Sequence, residues 1–347
     1  MRKLLFNSGE EELALETFKG FFYLFFCMLS VCDLFCGAGG FSLGFKQAGF
    51  EGLLAVDNFP PVLDTYSFNF PGTPVLVRDV RELHSFEILD RVGFPDVVIA
   101  SPPCEPFSAA NKKRMKRPLD RLYVDEVGGL VLEAVRLIGD LEPKVFVLEN
   151  VVPLASPKLK EALKKEFSRV GFSDVYFNVL YAENFGTPSR RMRLFISNIR
   201  LNIKTLTRKP VTVVEAIDDL PDPESLHAVP NHDFWEPLKA YKKKKKYNIR
   251  WGEGLTFFQG ASGKGLRNWI RLHPFKPALT VLGKSRFIHP FWNRPLTVRE
   301  HGRLMGFPDD FVFFGGRGLQ FDQVGEAVPP PLARVIAECV KSCIKNS

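Results

Sequence analysis

The chain has 347 residues, and what it lacks narrows the field first. Its six cysteines (Cys27, Cys32, Cys36, Cys104, Cys339, Cys343) form no Cys-x-x-Cys zinc pair and no disulfide framework. That excludes metal fingers and stapled secreted scaffolds and fits a reduced intracellular compartment. No internal repeat is visible, which removes the solenoids. The apolar run Gly20–Cys32 is too short to span a bilayer comfortably. Glu10, Glu11, Glu12 and Glu16 precede it and no small-residue cleavage site follows, so it does not read as a signal peptide. Residues 1–27 are expected to be an extension, with the first core strand starting near Met28.

What is present is a folded composition, 45% hydrophobic, with a net charge of +8. The charge is unevenly spread. Residues 201–290 hold 16 Lys and Arg against 8 Asp and Glu, so this quarter carries the whole surplus. A polyanionic partner is implied, met by that segment. The same segment is broken by Pro210, Pro221, Pro223, Pro230 and Pro237. It also contains Lys242–Lys246 between Tyr241 and Tyr247, and the glycine-rich stretch 251–265. Cations interleaved with aromatics suit phosphate contact and base stacking.

The rest reads as alternating strands and helices. A strand over Leu29–Leu34 runs into Phe35-Cys36-Gly37-Ala38-Gly39-Gly40 and a helix to about Ala48, a glycine turn of nucleotide-binding type. Gly52–Val56 is a second strand ending at Asp57, and Val75–Val77 leads to Asp79 at the tip of a third. Acids at successive strand ends suit the ribose hydroxyls and the amino group of an adenosyl ligand.

Pro95–Ala100 is a buried-type strand followed by Ser101-Pro102-Pro103-Cys104. A cysteine there lies where open α/β sheets place chemistry, and the prolines fix the backbone that aims its sulfur. Asn111–Arg117 is a basic loop beside it, expected to be mobile and to contact phosphate. Asp125–Asp140 has a helical apolar stripe. Lys144–Leu148 is a further strand ending in Glu149-Asn150-Val151, at the same sheet edge as Cys104. A pocketed carboxyl there, with its pKa raised, can protonate a heterocycle nitrogen. Pro157–Val170 reads as a basic amphipathic helix. Asp174–Leu180 and Met192–Ser197 read as a terminal hairpin, and between them Arg191 and Arg193 point to one side of an extended chain. A helix starts near Arg294-Pro295-Leu296-Thr297, and another runs from the prolines after Val328 to about Ser342, with an apolar face that needs the sheet domain as its core.

These motifs, in this order from about Leu29 to Ser342, resemble the C5-cytosine DNA methyltransferase family. The resemblance implies an α/β fold: a Rossmann-like, mostly parallel class I methyltransferase sheet with a smaller irregular target-recognition domain. The domain reading is 28–200 catalytic, 201–290 target recognition, and 291–347 returning to the catalytic domain. The methyl donor would be S-adenosyl-L-methionine, held by Phe35, Gly37, Gly39, Gly40, Asp57, Asp79, Pro103, Glu326 and Val328. Cys104 would add to C6 of an extruded cytosine, Glu149 would hold N3 and the exocyclic amine, Arg193 would reach O2, and Arg191 would support the pocket. The partner would be double-stranded DNA, met by a cytoplasmic, nucleoid-associated monomer with no membrane role. A cognate restriction endonuclease is compatible with this as a companion, not as a stable subunit.

Four positions depart from the family pattern. Ser189 stands where glutamine is usual, Glu105 replaces a glutamine, Arg78 a glycine, and Glu326 an asparagine near the donor's methionine end. Other readings fit less well. A tRNA-methylating relative would carry a Cys-Phe-Thr tripeptide, which is absent here. A non-catalytic relative would have lost Cys104 or Glu149. An NAD-type oxidoreductase leaves Pro103-Cys104 unexplained.

Overall fold

A computed structural model describes residues 28–205, 209–225, 229–235, 249–259 and 265–346. The proposed extension 1–27 and the Lys242–Lys246 run with its two tyrosines lie outside the described residues. In chain order the elements are β1 (Ser30–Leu34), α1 (Gly40–Gln47), β2 (Glu51–Asp57), α2 (Pro60–Asn69), β3 (Val75–Val77), α3 (Ser85–Val92), β4 (Val97–Ala100), α4 (Asp120–Tyr123), α5 (Leu130–Leu141) and β5 (Val145–Asn150). There follow α6 (Pro157–Arg169), β6 (Tyr176–Tyr181), β7 (Met192–Ser197), α7 (Val213–Ile217), β8 (Gly254–Gln259), β9 (Gly265–Arg271), β10 (Phe287–Ile288), α8 (Val298–Met305), α9 (Arg317–Glu326) and α10 (Pro330–Lys345).

The apolar runs of β4 and β5 are buried throughout, as strands covered on both faces must be. They sit mid-sheet in the order β3-β2-β1-β4-β5-β7-β6. The pairs β3-β2, β2-β1, β1-β4 and β4-β5 are parallel. The expected hairpin is present: β7 runs antiparallel to both β5 and β6. Because β1 pairs with β2 on one side and β4 on the other, the strand order reverses between β1 and β4. Open α/β sheets bind ligands outside the carboxyl ends of strands at such a switch point. The glycine turn follows β1 and the Cys104 loop follows β4, so the topology brings the two motifs together.

One face of the sheet is covered by α3, α5 and α6, the other by α1 and α10. The final helix docks on the sheet domain as its apolar stripe requires: a Cβ on Gly44 of α1 would lie 2.3 Å from the Ala333 side chain, so the two helices meet almost backbone to backbone. A second sheet, β10-β9-β8, packs in one core with α7, α8, α9 and the loop side of α1 and α2. The helix expected at Arg294–Thr297 is anchored by a capping box. Thr297 and Glu300 cap α8 reciprocally, and the Arg294 fork grips the Glu300 carboxylate at 2.7 and 2.8 Å.

Some boundaries differ from the sequence expectation. The helix expected from Asp125 starts only at Leu130, because the Asp125 carboxylate accepts from the Val127 and Gly128 amides and closes a turn first. The strand expected from Asp174 begins at Tyr176.

Candidate active site

Cys104 lies on a loop pinned from three sides. The Ser101 amide donates to Leu34 O, and the Ser101 hydroxyl donates to Phe35 O at 2.9 Å, which ties the loop to the glycine turn. The Asn150 side-chain amide donates to Pro102 O at 3.0 Å, which ties it to the end of β5. The amides of Phe107 and Ser108 both donate to Cys104 O, closing a turn over the buried Phe107 ring. The sulfur is thus positioned by backbone contacts the sequence does not spell out, although Asn150, just after Glu149, marks one of them.

Glu149, on β5 and 7% exposed, accepts from Arg193 Nε at 3.1 Å, and Arg193 reaches it from β7, where Glu149 pairs with Phe195. Burial raises the Glu149 carboxyl above its ordinary range, against the pull of Arg193 and Arg191. The Cys104 thiol is pushed up to about 11, first by burial, then by Glu149 and Glu105, with Arg193 and Arg191 pulling the other way. All four candidate catalytic residues are therefore brought within one another's electrostatic reach. Positive charge from Arg193 and Arg191 does act on the sulfur, but burial and the two acids outweigh it.

Arg193 lies on β7 and Arg191 immediately precedes that strand, with Met192 turned to solvent between them. Arg191 is 2% exposed and forms no ion pair among the described residues; two of its bonds go from Nη1 to Val281 O at 2.8 Å and to Gly325 O at 2.9 Å. Gly325 is obligatory for this clamp, since a Cβ there would fall 2.0 Å from Gly283 N. These carbonyls were missed by the sequence reading, and backbone acceptors leave no mark in a sequence. Ser189, where the family pattern has glutamine, is fully buried, bridged to Ala278 and directed at Met305 Sδ at 3.9 Å.

The donor-side residues divide. Phe35 and Gly37 sit at φ 61° and 51°, and a Cβ on Gly37 would meet nothing within 4 Å, so this stretch of backbone is open. Gly39 and Gly40 instead make room for the protein itself. A Cβ on Gly39 would lie 2.4 Å from the Phe70 ring, and one on Gly40 would lie 2.5 Å from Val328 O. The second contact brings Gly40 and Val328 together.

Asp57 Oδ2 accepts from the Gly37 amide at 2.9 Å and Oδ1 from the Phe59 amide at 3.0 Å, and burial raises its pKa. Asp79 lies two residues past β3, and its carboxylate is already held by Arg81. That partner was not anticipated. Beneath the loop, Tyr66 OH donates to Ser42 Oγ, which donates to Asp33 Oδ2, while Asp33 Oδ1 is buried without a partner among the described residues. Glu326, at the end of α9, is exposed; its carboxyl is pushed up to about 7 by desolvation and by Asp322 and Glu105. The open Gly37 backbone and the Asp57 and Asp79 carboxylates at adjacent strand ends fit an adenosyl ligand.

The basic loop expected to be mobile curls back on the protein here: Arg114 donates to Phe107 O, and Arg121 donates to the carbonyls of Met115 and Lys116. The family model for C-5 cytosine-specific DNA methylases matches residues 29–342. The chain belongs to that family. A provisionally named type II methyltransferase of Methanocaldococcus jannaschii is 45% identical over 319 residues, covering 90% of this chain and 99% of its own. A type II methyltransferase of Haemophilus parahaemolyticus is 38% identical over 339 residues, covering 92% and 88%. Among solved structures, a provisionally named DNA modification methyltransferase encoded within an Escherichia coli prophage superposes with a TM-score of 0.72 at 24% identity, covering 91% of this chain and 99% of that one, which supports the fold. The Rossmann-like reading of the sheet and the methyltransferase class thus hold for this DNA methylase family member.

Proposed function

We propose that this family member is a DNA (cytosine-5-)-methyltransferase that moves a methyl group from S-adenosyl-L-methionine to C5 of a cytosine extruded from double-stranded DNA, through a covalent Cys104–C6 bond. The supporting observation is the Glu149–Arg193 pair at 3.1 Å, whose charges act on the Cys104 thiol in opposite directions.

C5 of cytosine is a weak nucleophile until C6 is saturated. Cys104 first loses its thiol proton to solvent; attack of the resulting thiolate on C6 then opens the C5–C6 double bond and places electron density on C5. Glu149, whose carboxyl burial raises above its ordinary range, would take up a proton as the base enters, donate to N3 and make the ring electrophilic. Arg193 faces O2, and Arg191, fixed by the Val281 and Gly325 carbonyls, holds positive charge behind the pocket. The donor supplies the methyl group; Phe35, Gly37, Asp57, Asp79, Pro103, Glu326 and Val328 would hold it, with Gly39 and Gly40 keeping the turn in shape. C5 then loses its proton to solvent, the C6–S bond breaks, and the electron pair returns to sulfur.

On this reading residues 201–290 form the target-recognition domain, 28–200 and 291–347 the catalytic domain, and the protein works as a cytoplasmic monomer on the nucleoid. It would be the modification partner of a restriction endonuclease that is not a subunit.

Bisulfite sequencing of DNA from a host expressing the chain identifies the methylated context. A duplex of that context carrying 5-fluorocytosine, which has no C5 proton to lose, should then trap a donor-dependent adduct that survives denaturing electrophoresis. Cys104→Ala should form none. An adduct that persists in that variant would refute the nucleophile assignment.

A further inference from the structure

Away from the switch point, the start of the edge strand β6 borders a recess of about 500 Å³ lined by Lys160, Lys164, Asp174, Tyr176, Phe177 and Arg200, among others. The recess is distinct from the catalytic crevice. Tyr176 pairs with Ser197, which pairs with Val147, so it lies toward the amino-terminal half of β5 and two strands further out. Cys104 instead follows the carboxyl end of β4.

Three cations face one carboxylate here. None of Lys160, Lys164 and Arg200 forms a salt bridge among the described residues, and Asp174 is not within pairing distance of any of them. Lys160 and Lys164 are four apart on α6, so they share a face and repel each other, a small cost that an unoccupied surface gives no reason to keep.

Two of the cations are also oriented. Lys160 Nζ sits 5.1 Å from the Phe177 ring centroid, and the Arg200 guanidinium carbon 5.2 Å from that of Tyr176. A cation resting on a ring is fixed in place while its N–H groups on the far side remain available. The same arrangement covers a face of each ring, so bases do not stack there. Asn178 is spent internally, donating to Phe195 O and accepting from the Leu201 amide. What remains, with Ser173 and Asn202 at its edge, is a concave, net-positive donor surface, the chemistry of phosphate contact.

We propose that this recess is a second phosphate-binding site, separate from the catalytic crevice. Its ligand is a phosphate group carried either by a distal stretch of the same DNA or by a free nucleotide.

The test uses the full chain and the variant Lys160→Gln/Lys164→Gln/Arg200→Gln, with Lys160→Arg/Lys164→Arg as the charge-preserving control. All the altered side chains are on the surface, and thermal melting verifies the fold. Binding is measured against salt for a duplex of about 12 base pairs carrying the target context and for one of about 50. If the site takes distal DNA, the long-duplex slope of log K against log[salt] becomes less negative by about 2–3 in the variant, at roughly 0.9 per phosphate contact, while the short duplex and its methylation rate are unchanged. If it takes a free nucleotide, both DNA slopes are unchanged, and ATP or inorganic phosphate raises the melting temperature of the wild type and the arginine control but not of the glutamine variant. Unchanged slopes together with no phosphate-dependent shift would overturn the proposal. Equal losses on both duplexes would overturn it too, placing the cations in the target contact itself.

Discussion

The loop after β1 and the loop after β4 lie side by side, joined by the Ser101–Phe35 hydrogen bond, yet they are stabilised in different ways. On the donor side the acids are satisfied locally: Asp57 by the amides of Gly37 and Phe59, Asp79 by Arg81. Shape there is set by close backbone approach, with Gly40 against Val328 O. On the catalytic side the groups are buried against one another. Glu149 has Arg193, the Arg191 guanidinium donates to the Val281 and Gly325 carbonyls, and the Cys104 thiol responds to all three. The donor side is a finished mould, whereas the catalytic side is a set of opposed charges whose balance shifts once a base and a donor enter.

The sharpest way to break that contrast is to remove one charge from the catalytic side. Glu149→Gln should lower the single-turnover rate by about 10²–10⁴, the usual range for a lost proton donor. It should also lower the Cys104 pKa, because the carboxylate raises it. In the protein without DNA, the pH midpoint of iodoacetamide alkylation at Cys104 should therefore fall below that of the wild type. A slow enzyme with an unmoved midpoint would mean that Glu149 acts on the base alone and that the charges are not coupled.

How far this contrast could be read in advance follows from where its atoms come from. Side chains on strand ends were legible. The runs before Asp57, Cys104 and Glu149 are short, apolar and bounded by glycine or proline, and a parallel strand buried on both faces leaves that mark. The Arg191 clamp was not legible, because its acceptors are backbone carbonyls 90 and 134 residues away. Nor did the three glycines announce their separate tasks. Only packing shows that Gly37 faces open space while Gly39 and Gly40 face Phe70 and Val328. The start of α5 was misplaced because the Asp125 turn competes with the helix locally.

On the donor side, a change in shape should matter more than a change in charge. Gly40→Ala would put a methyl 2.5 Å from Val328 O and 2.9 Å from Ala327 Cβ, both on a segment that cannot swing aside like the end of a long side chain. Overpacking of this kind costs about 1–3 kcal/mol. A melting temperature lowered by several degrees and a donor dissociation constant raised about tenfold are expected, by differential scanning fluorimetry and isothermal titration. The alkylation midpoint of Cys104 should stay where it is. If that midpoint moved as far as it does in Glu149→Gln, the two loops would not be separable as mould and charge balance.

The smallest expected effect lies where the two sides meet, at Glu326. Its carboxyl is raised to about 7 in the folded protein by desolvation, Asp322 and Glu105, against 4.5 ordinarily. Between those two pH values the folded chain binds more protons than the unfolded one, so stability falls as pH rises through the window, and the full penalty is present above it. Glu326→Gln removes the ionisation and should melt higher than the wild type at pH 8, with the difference vanishing near pH 4. The residue is exposed, so solvent screens the effect and a shift of at most a few degrees is expected. The sign decides the point: Arg191 and Lys284 pull the carboxyl down, and if they outweighed the acids the variant would be the less stable one at pH 8. Glu326 would then belong to the charge balance around Arg191 and not to the mould that holds the donor.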